Sequence, residues 1–413
     1  MSEQTLQVCI AARDFPPDYT GSGKRFQRYI APLQKHNIAV SVFAGISKFG
    51  AVKLGLQTNA LKTGENILPQ TQAGAMIRRV YLGGSRRSCY DHYIYARALT
   101  QFCKRNNPDV LQLTSASLCM VPMILRLRRQ GIPIVLAFTL VGSGYSKNPA
   151  KRLLQRIIRR IPHRIADHFV TGNIVSQEYL RDLGVHQPIT IISHGVDTGR
   201  FKQAASQQEK SNIRKHLGLP QNAHLVLFVG ALIPRKGIET LLFAWQKVSV
   251  NFPNAHLLLV GPSPSELAFD TIWTQKFEAL CREAGGSLTL TGTVDNVTDY
   301  YQASDVFVFP SRREGMPNAV LEAYACGLPT ILTPFAGYSP DLGIAETHHL
   351  LCEREPQELG HAISRLIQDS NLRAALSANA RTLAVKNLSL DSAVEKYATL
   401  YQSLKQQYTG INR

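Results

Sequence analysis

The chain has 413 residues, 44% of them hydrophobic and 18% charged, more than one hydrophobic core ordinarily serves, so two domains are expected. The net charge of +17 is confined to one half: residues 1–200 carry 27 Lys and Arg against 10 Asp and Glu, and residues 201–413 carry 19 of each. Seven scattered cysteines without a C-x-x-C pair argue against a disulfide framework or a zinc site, and no apolar run reaches the ~20 residues of a membrane span.

In chain order, "LQVCIAA", "IAVSVFAG", "DVLQLTS", "IPIVLAF", "HFVTGN" and "ITIIS" read as buried strands of the first half. "HLVLFVGAL", "HLLLVGP", "SLTLTG", "DVFVFPS" and "PTILTP" read so in the second. Helical patterns such as Gly237–Val250, Leu267–Ala284 and Pro356–Asp369 lie between them. Near-continuous Val/Ile/Leu runs suit parallel strands covered on both faces, and strand–helix alternation builds doubly wound α/β sheets. The polar, Gln-rich stretch from Asp197 to Asn222 is the expected boundary. The expected organisation is a first Rossmann-like domain over 1–198, a second over 199–390, and a closing helix over 391–413 that crosses back to the first.

Ligands of open parallel sheets bind outside the carboxyl ends of the strands, so the loops after the strands are where chemistry is sought. "REGMPNAVLEAYACGLP" follows "DVFVFPS". Asn318 suits an N-cap, "AVLEAYA" a short helix, and Gly327 its stop. The free amides of Ala319 and Val320 would then form an anion site at the helix's amino end. Glu314 falls in the loop and Glu322 about one turn into the helix, each able to face a hydroxyl-rich group; as bare charges they would be a loop and a helix carboxylate in solvent. In "FVGALIPRKGIETLL", Arg235 and Lys236 stand in a strand-end loop, where two cations can neutralise a leaving diphosphate or merely be solvated. Gly21, Ser22 and Gly23 open a helix after the first strand, either for close approach to a ligand or as a structural turn.

Together these segments resemble the retaining GT-B glycosyltransferases of family 4 (group 1). "EGMPNAVLEAYACGLP" looks like that family's E-x7-E signature, "VGALIPRKG" like its phosphate loop, "HGVDTGRF" like the segment closing its first domain, and Gly21–Gly23 like its first-strand loop. The resemblance implies a GT-B fold, two Rossmann-like domains facing across a cleft. It implies transfer of a sugar from a nucleotide-diphosphate sugar to a glycan, lipid-linked or other hydroxyl acceptor, with retention and without metal or other cofactor. Glu314 would bond the transferred sugar and Glu322 the ribose, Arg235 and Lys236 would hold the diphosphate, and Gly292, Thr293 and Val294 would lie beside the base. Gly21 to Gly23 would approach the phosphates from the other domain. Two positions depart from the pattern: Ala231 stands where Arg is common after the phosphate-loop glycine, and Thr139 where His is common.

The basic half implies an anionic partner. Lys151–Ile161 reads as an amphipathic helix, packed on its own sheet or touching anionic lipid; "LRLRRQ", Arg78-Arg79 and Arg86-Arg87 add charge to the same half. A membrane surface or anionic acceptor is favoured over nucleic acid, for which no motif is present. The opening "MSEQTLQVCIAARDF" has no signal-peptide pattern, so a cytoplasmic protein, free or peripheral on the membrane, is expected. A nucleotide-sugar epimerase on the same fold and a non-catalytic sugar-nucleotide binder are the alternatives.

Overall fold

The computed structural model describes residues 5–18, 21–83, 89–138, 166–267, 269–285 and 287–411. By backbone packing the chain divides into two compact units, residues 1–193 with 393–413 and residues 194–392. Thr139, Arg86, Arg87 and the Lys151–Ile161 segment lie outside the described residues.

The first unit holds β1 (Leu6–Asp14), β2 (Ile38–Ile46), β3 (Asn66–Gln72), β4 (Ala75–Tyr81), β5 (Val110–Leu113), β6 (Ile134–Phe138), β7 (His168–Thr171) and β8 (Ile189–Ile191). They form one sheet in the order β3-β4-β2-β1-β5-β6-β7-β8. All pairs are parallel except β3 with β4. That hairpin is absent from the strands read in the sequence. Pro69 and the polar alternation of "NILPQTQ" disguise β3, and both are features of an edge strand. Its two-residue turn places Ala73 and Gly74 at φ 48° and 76°, the left-handed pair that joins twisted strands. The helices α1 (Gly21–Gln34), α2 (Lys48–Lys53), α3 (Cys89–Asn106), α4 (Val121–Arg128) and α5 (Ile174–Asp182) accompany the sheet. α3 lays Tyr95 and Phe102 against Phe43 of β2, with Leu99 and Cys103 buried beside them.

The second unit holds α6 (Gln207–His216), β9 (His224–Val229), α7 (Ile238–Asn251), β10 (Ala255–Val260), α8 (Thr271–Glu283), β11 (Leu288–Gly292), α9 (Val297–Ala303), β12 (Val306–Phe309), α10 (Asn318–Ala325), β13 (Thr330–Leu332), β14 (Leu350–Leu351), α11 (Pro356–Gln368) and α12 (Ser370–Lys386). Its sheet runs β11-β10-β9-β12-β13-β14 and is parallel throughout. Leu225 to Phe228, Leu257 to Leu259 and Phe307 to Phe309 are fully buried, which explains their unbroken apolar runs: helices cover both faces. α8 starts at Thr271, later than its apolar pattern suggests, because the Asp270 carboxylate accepts the Trp273 amide at 3.0 Å and caps it there.

The final helix, α13 (Leu390–Ile411), starts in the second unit, and from Ala393 onward its residues belong to the first. There Tyr397 packs on Phe26 and Tyr29 of α1, and the Tyr401 hydroxyl donates to the Gln112 side chain at 2.9 Å. The division falls at 193/194 and 392/393, against the 198 and 390 expected. The stretch from Asp197 to Asn222 does not hold the boundary: it lies inside the second unit and contains α6. Its polarity belongs to an exposed helix whose Arg214 reaches inward to the Ala303 carbonyl and Asp305.

Candidate active site

In the second sheet the order 3-2-1-4-5-6 reverses direction between β9 and β12. A crevice opens at such a switch point because the connections on either side run to opposite faces. The loop after β9 carries Arg235 and Lys236 in a short 3-10 turn, Pro234–Lys236, and the loop after β12 carries Ser311 to Glu314. Strand adjacency brings these two loops together.

They converge on one atom. Oε1 of Glu314 accepts from Arg235 Nη1 at 2.7 Å, from Lys236 Nζ at 2.8 Å and from the Ser311 hydroxyl at 2.7 Å. The Glu314 side chain is 13% exposed, Lys236 15% and Arg235 36%, so the cluster is half-sheltered with the guanidinium at its rim. Burial pulls the Lys236 ammonium below its ordinary pKa, Glu314 opposes that, and Arg235 adds to it. Lys236 also sits 5.1 Å from the Phe309 ring centroid, over a π face that favours a cation.

The backbone is tailored to this contact. Gly237 has φ 74°, and a Cβ there would lie 2.0 Å from the Pro310 carbonyl oxygen; Gly337 has φ 99°, and a Cβ would lie 2.0 Å from that of Glu314. Arg312 donates its amide to the Arg235 carbonyl at 2.9 Å, and Glu314 donates its own to Ala336 at 3.1 Å. Three strand-end loops, after β9, β12 and β13, are thereby laced together.

α10 rises from the same loop. Its N-cap is Pro317, with Asn318 as the first helical residue, so Asn318 does not cap the helix. The Val320 amide is not free either: it donates to the Pro317 carbonyl at 3.1 Å. The first-turn amides that no intrahelical carbonyl reaches are therefore those of Asn318 and Ala319. The helix closes as read, with Gly327 at φ 63° and paired bonds from the Gly327 and Leu328 amides to Tyr324 and Ala323. Glu322 is half-buried on α10, and its Oε2 accepts from the Tyr301 hydroxyl at 3.1 Å.

Comparison with known proteins identifies the family. Residues 50–200 match the family model described as Glycosyltransferase Family 4, and residues 223–369 the one described as Glycosyl transferases group 1. The chain belongs to the group 1, family 4 glycosyltransferases of GT-B fold.

Relatives of this chain include a D-inositol 3-phosphate glycosyltransferase of Salinispora arenicola, 27% identical over 290 residues, which are 66% of this chain and 64% of that protein. A lipopolysaccharide core biosynthesis mannosyltransferase of Rhizobium meliloti is 28% identical over 222 residues, 52% of this chain and 61% of that one. The chain spans only part of the relatives it matches, 51% of the Streptosporangium roseum D-inositol 3-phosphate glycosyltransferase for example. In fold it is similar to the sucrose-phosphate synthase of Thermosynechococcus elongatus, with TM-score 0.77 at 20% identity over 97% of this chain and 99% of that one. It is also similar to Anabaena HepE in complex with UDP-glucose, with TM-score 0.73 at 16% identity over 96% and 100%.

The other candidate residues are dispersed. Gly292 ends β11 and Thr293 and Val294 follow it, two strands from β9 and so about 10 Å along the sheet edge. Gly292 has φ 67° and its carbonyl accepts the Gly261 amide at 3.0 Å. Gly21, Ser22 and Gly23 begin α1 in the first unit; a Cβ on Gly21 would meet nothing within 4 Å, so that backbone is open to an incoming group. Ala231 leaves no side-chain cation at its position, and the two charges of this loop are Arg235 and Lys236.

Several participants were not singled out in the sequence. Ser311 stands three residues before Glu314, at the end of a strand, which is the only signal it offers. Tyr301 is fully buried, and burial pushes its hydroxyl well above its usual pKa, with Glu322 adding to the shift, so it remains a neutral donor. His349 is fully buried between two phenols, Tyr324 Oη at 2.7 Å from Nδ1 and Tyr338 Oη at 2.8 Å from Nε2. Burial lowers its pKa to about 4, with His348 adding to the shift, so near neutral pH one ring nitrogen donates and the other accepts. It ties α10 to the Gly337 loop. Among the described residues no group of three His, Cys, Asp or Glu is placed to hold a metal ion, and no helix is long and apolar enough to cross a membrane.

Proposed function

We propose that the protein is a retaining glycosyltransferase that uses a nucleotide-diphosphate sugar. The observation that carries this reading is the three-donor convergence on Glu314 at the switch point of the second sheet. In this reading Arg235, Lys236 and the first-turn amides of Asn318 and Ala319 meet the charge that grows on the departing diphosphate, and no metal is required. Oε1 of Glu314 orders the two cations, and Oε2 accepts a hydroxyl of the transferred sugar. Glu322, steadied by Tyr301, binds the ribose, and the Gly292–Val294 loop lies beside the base. The bond from the anomeric carbon to the phosphate oxygen breaks on the same face that receives the acceptor oxygen, and the acceptor proton passes to the departing phosphate. The UDP-glucose complex of the HepE structure supports a nucleotide-sugar donor.

The acceptor in this reading is a glycan or lipid-linked hydroxyl handled by the basic first unit at the cytoplasmic face of a membrane, and the names of the inositol phosphate and lipopolysaccharide relatives agree with an anionic or lipid-borne acceptor. The test is a thermal-shift screen of nucleotide sugars, in which the true donor stabilises the fold by mass action, followed by anomeric analysis of the product. An inverted product rejects retention. Donor stabilisation that persists unchanged in both Glu314→Gln and Lys236→Ala, with transfer at the full rate, rejects the site. Salt-sensitive binding of the full chain to anionic vesicles, against none to neutral ones, tests the membrane partner.

A further inference from the structure

The opposite edge of the second sheet carries a feature of which the donor reading uses only the buried Tyr301. Residues that precede β12 and β13, with the starts of α6 and α12, line a cavity of about 480 Å³. Because all six strands are parallel, this amino-terminal edge is the far side of the sheet from Glu314. A second cavity of about 200 Å³ adjoins it and shares Gln207, Lys210 and Asp305 as a common wall. The two adjoin within one unit as a polar groove.

Its chemistry is specific. Gln203, Gln207 and Gln302 present carboxamides, each a donor and an acceptor on one rigid plane, which suits the vicinal hydroxyls of a sugar. Leu328, Pro329 and Ala374 supply apolar surface for the C–H face of a ring. The charge is unbalanced: Lys210 at 2.6 Å and the buried Arg214 at 2.8 Å share the single carboxylate of Asp305; Arg214 also donates to the Ala303, Gln221 and Ala223 carbonyls, so Lys210 and Arg373 are the cations the groove presents. Burial alone would raise the Asp305 pKa, yet the two cations hold it below the usual range. The wall is also set in advance. Asp305 accepts the Leu225 amide at 2.8 Å, Gln203 donates to Ser377 at 3.2 Å, and Arg373 is pinned on the Ile367 carbonyl at 2.8 Å. A preformed groove of this size loses little entropy on binding.

We propose that this groove is a binding site for a short anionic carbohydrate, two or so sugar units bearing carboxylate, separate from the donor site. It does not depend on the reading of Glu314. The experiment is calorimetric titration of the full chain with digalacturonate, in the presence of saturating UDP or GDP so that any nucleotide site is occupied. Maltose and inorganic phosphate are the comparison ligands. Ala374 lies on an exposed face of α12 at the groove's lining, so Ala374→Trp obstructs it without touching the cluster at the other edge. Digalacturonate is expected to bind more tightly than either comparison ligand, and Ala374→Trp to weaken it about tenfold or more, the equivalent of one well-made polar contact, while UDP or GDP binding stays at the wild-type level. Gln207→Ala, on an exposed turn of α6, carries the same expectation should the tryptophan variant not fold. Absence of digalacturonate binding overturns the proposal, as does equal binding of maltose or phosphate, or binding that both variants leave unchanged. Failure of UDP and GDP to bind would count against the donor reading alone.

Discussion

Glu314 receives two cations and a hydroxyl on one oxygen, and that arrangement determines what its replacement does. Glu314→Gln keeps the shape but removes the charge that gathers Arg235 and Lys236. Transfer is expected to fall by about 10²–10³-fold, the range for losing one preorganised electrostatic group; Lys236→Ala is expected to fall comparably. Steady-state kinetics with the donor found by the thermal screen checks both. Gly337→Ala tests the backbone behind them. Its Cβ would sit 2.0 Å from the Glu314 carbonyl oxygen at a φ of 99°, so the loop must shift. A loss of at least about 2 kcal/mol of stability is expected, measured by urea unfolding, together with a drop in transfer. The candidate status of Glu314, Arg235 and Lys236 was legible in the sequence because each lies in a short charged loop within a few residues of an apolar strand. Their contact was not: Arg235 and Glu314 are 79 residues apart, and only the pairing of β9 with β12 makes them neighbours. The capping role expected of Asn318 failed for a local reason, since Pro317 already takes the cap and accepts the Val320 amide.

At the scale of elements, His349 joins α10 to the loop after β13 through Tyr324 and Tyr338. His349→Phe removes both bonds and leaves two hydroxyls short of a partner, at a cost of about 2–4 kcal/mol. The same residue makes stability pH-dependent. Its folded pKa, about 4, lies below the ordinary 6.5, so the unfolded chain binds the extra proton in the interval between them. Stability from this group is present in full above about pH 6.5 and declines as pH falls toward 4, by up to about 3 kcal/mol. Urea midpoints measured from pH 7 down to pH 4 are expected to fall in the wild type and to fall less in His349→Phe. Equal slopes would mean that His349 is not the group responsible. This tie was invisible in the sequence because "HHLLCERE" contains nothing that distinguishes His349 from His348, whereas in the fold only His349 is buried between phenols.

For the whole molecule, the division into two units with a returning α13 makes a sharp prediction. Deleting residues 393–413 strips Tyr397 from Phe26 and Tyr29, Tyr401 from Gln112 and Lys405 from Asp109. The first unit is expected to lose its cooperative thermal transition, or to aggregate, while the second retains its own and its response to nucleotide. Calorimetry of the truncated chain checks this, and two unchanged transitions would count against it. Among the described residues, eleven of the fourteen strands were legible as apolar runs because helices cover both faces of their sheets. β3, β4 and β14 were not: the first pair forms a hairpin at a polar sheet edge, and the last has two residues.

Local chemistry in the sequence alone determined the α/β class, the strand-end loops that carry charge, the one-sided excess of cations and the kinship with family 4, because period, turn residues and short motifs are properties of neighbouring positions. Tertiary structure alone decided that Glu314 gathers Arg235, Lys236 and Ser311 on one oxygen, that Tyr301 steadies Glu322, that His349 joins two elements, and that the polar stretch after residue 197 folds into the second unit. Each of these is a contact across strands or helices distant in sequence, and it exists only once strand order has fixed which loops are neighbours.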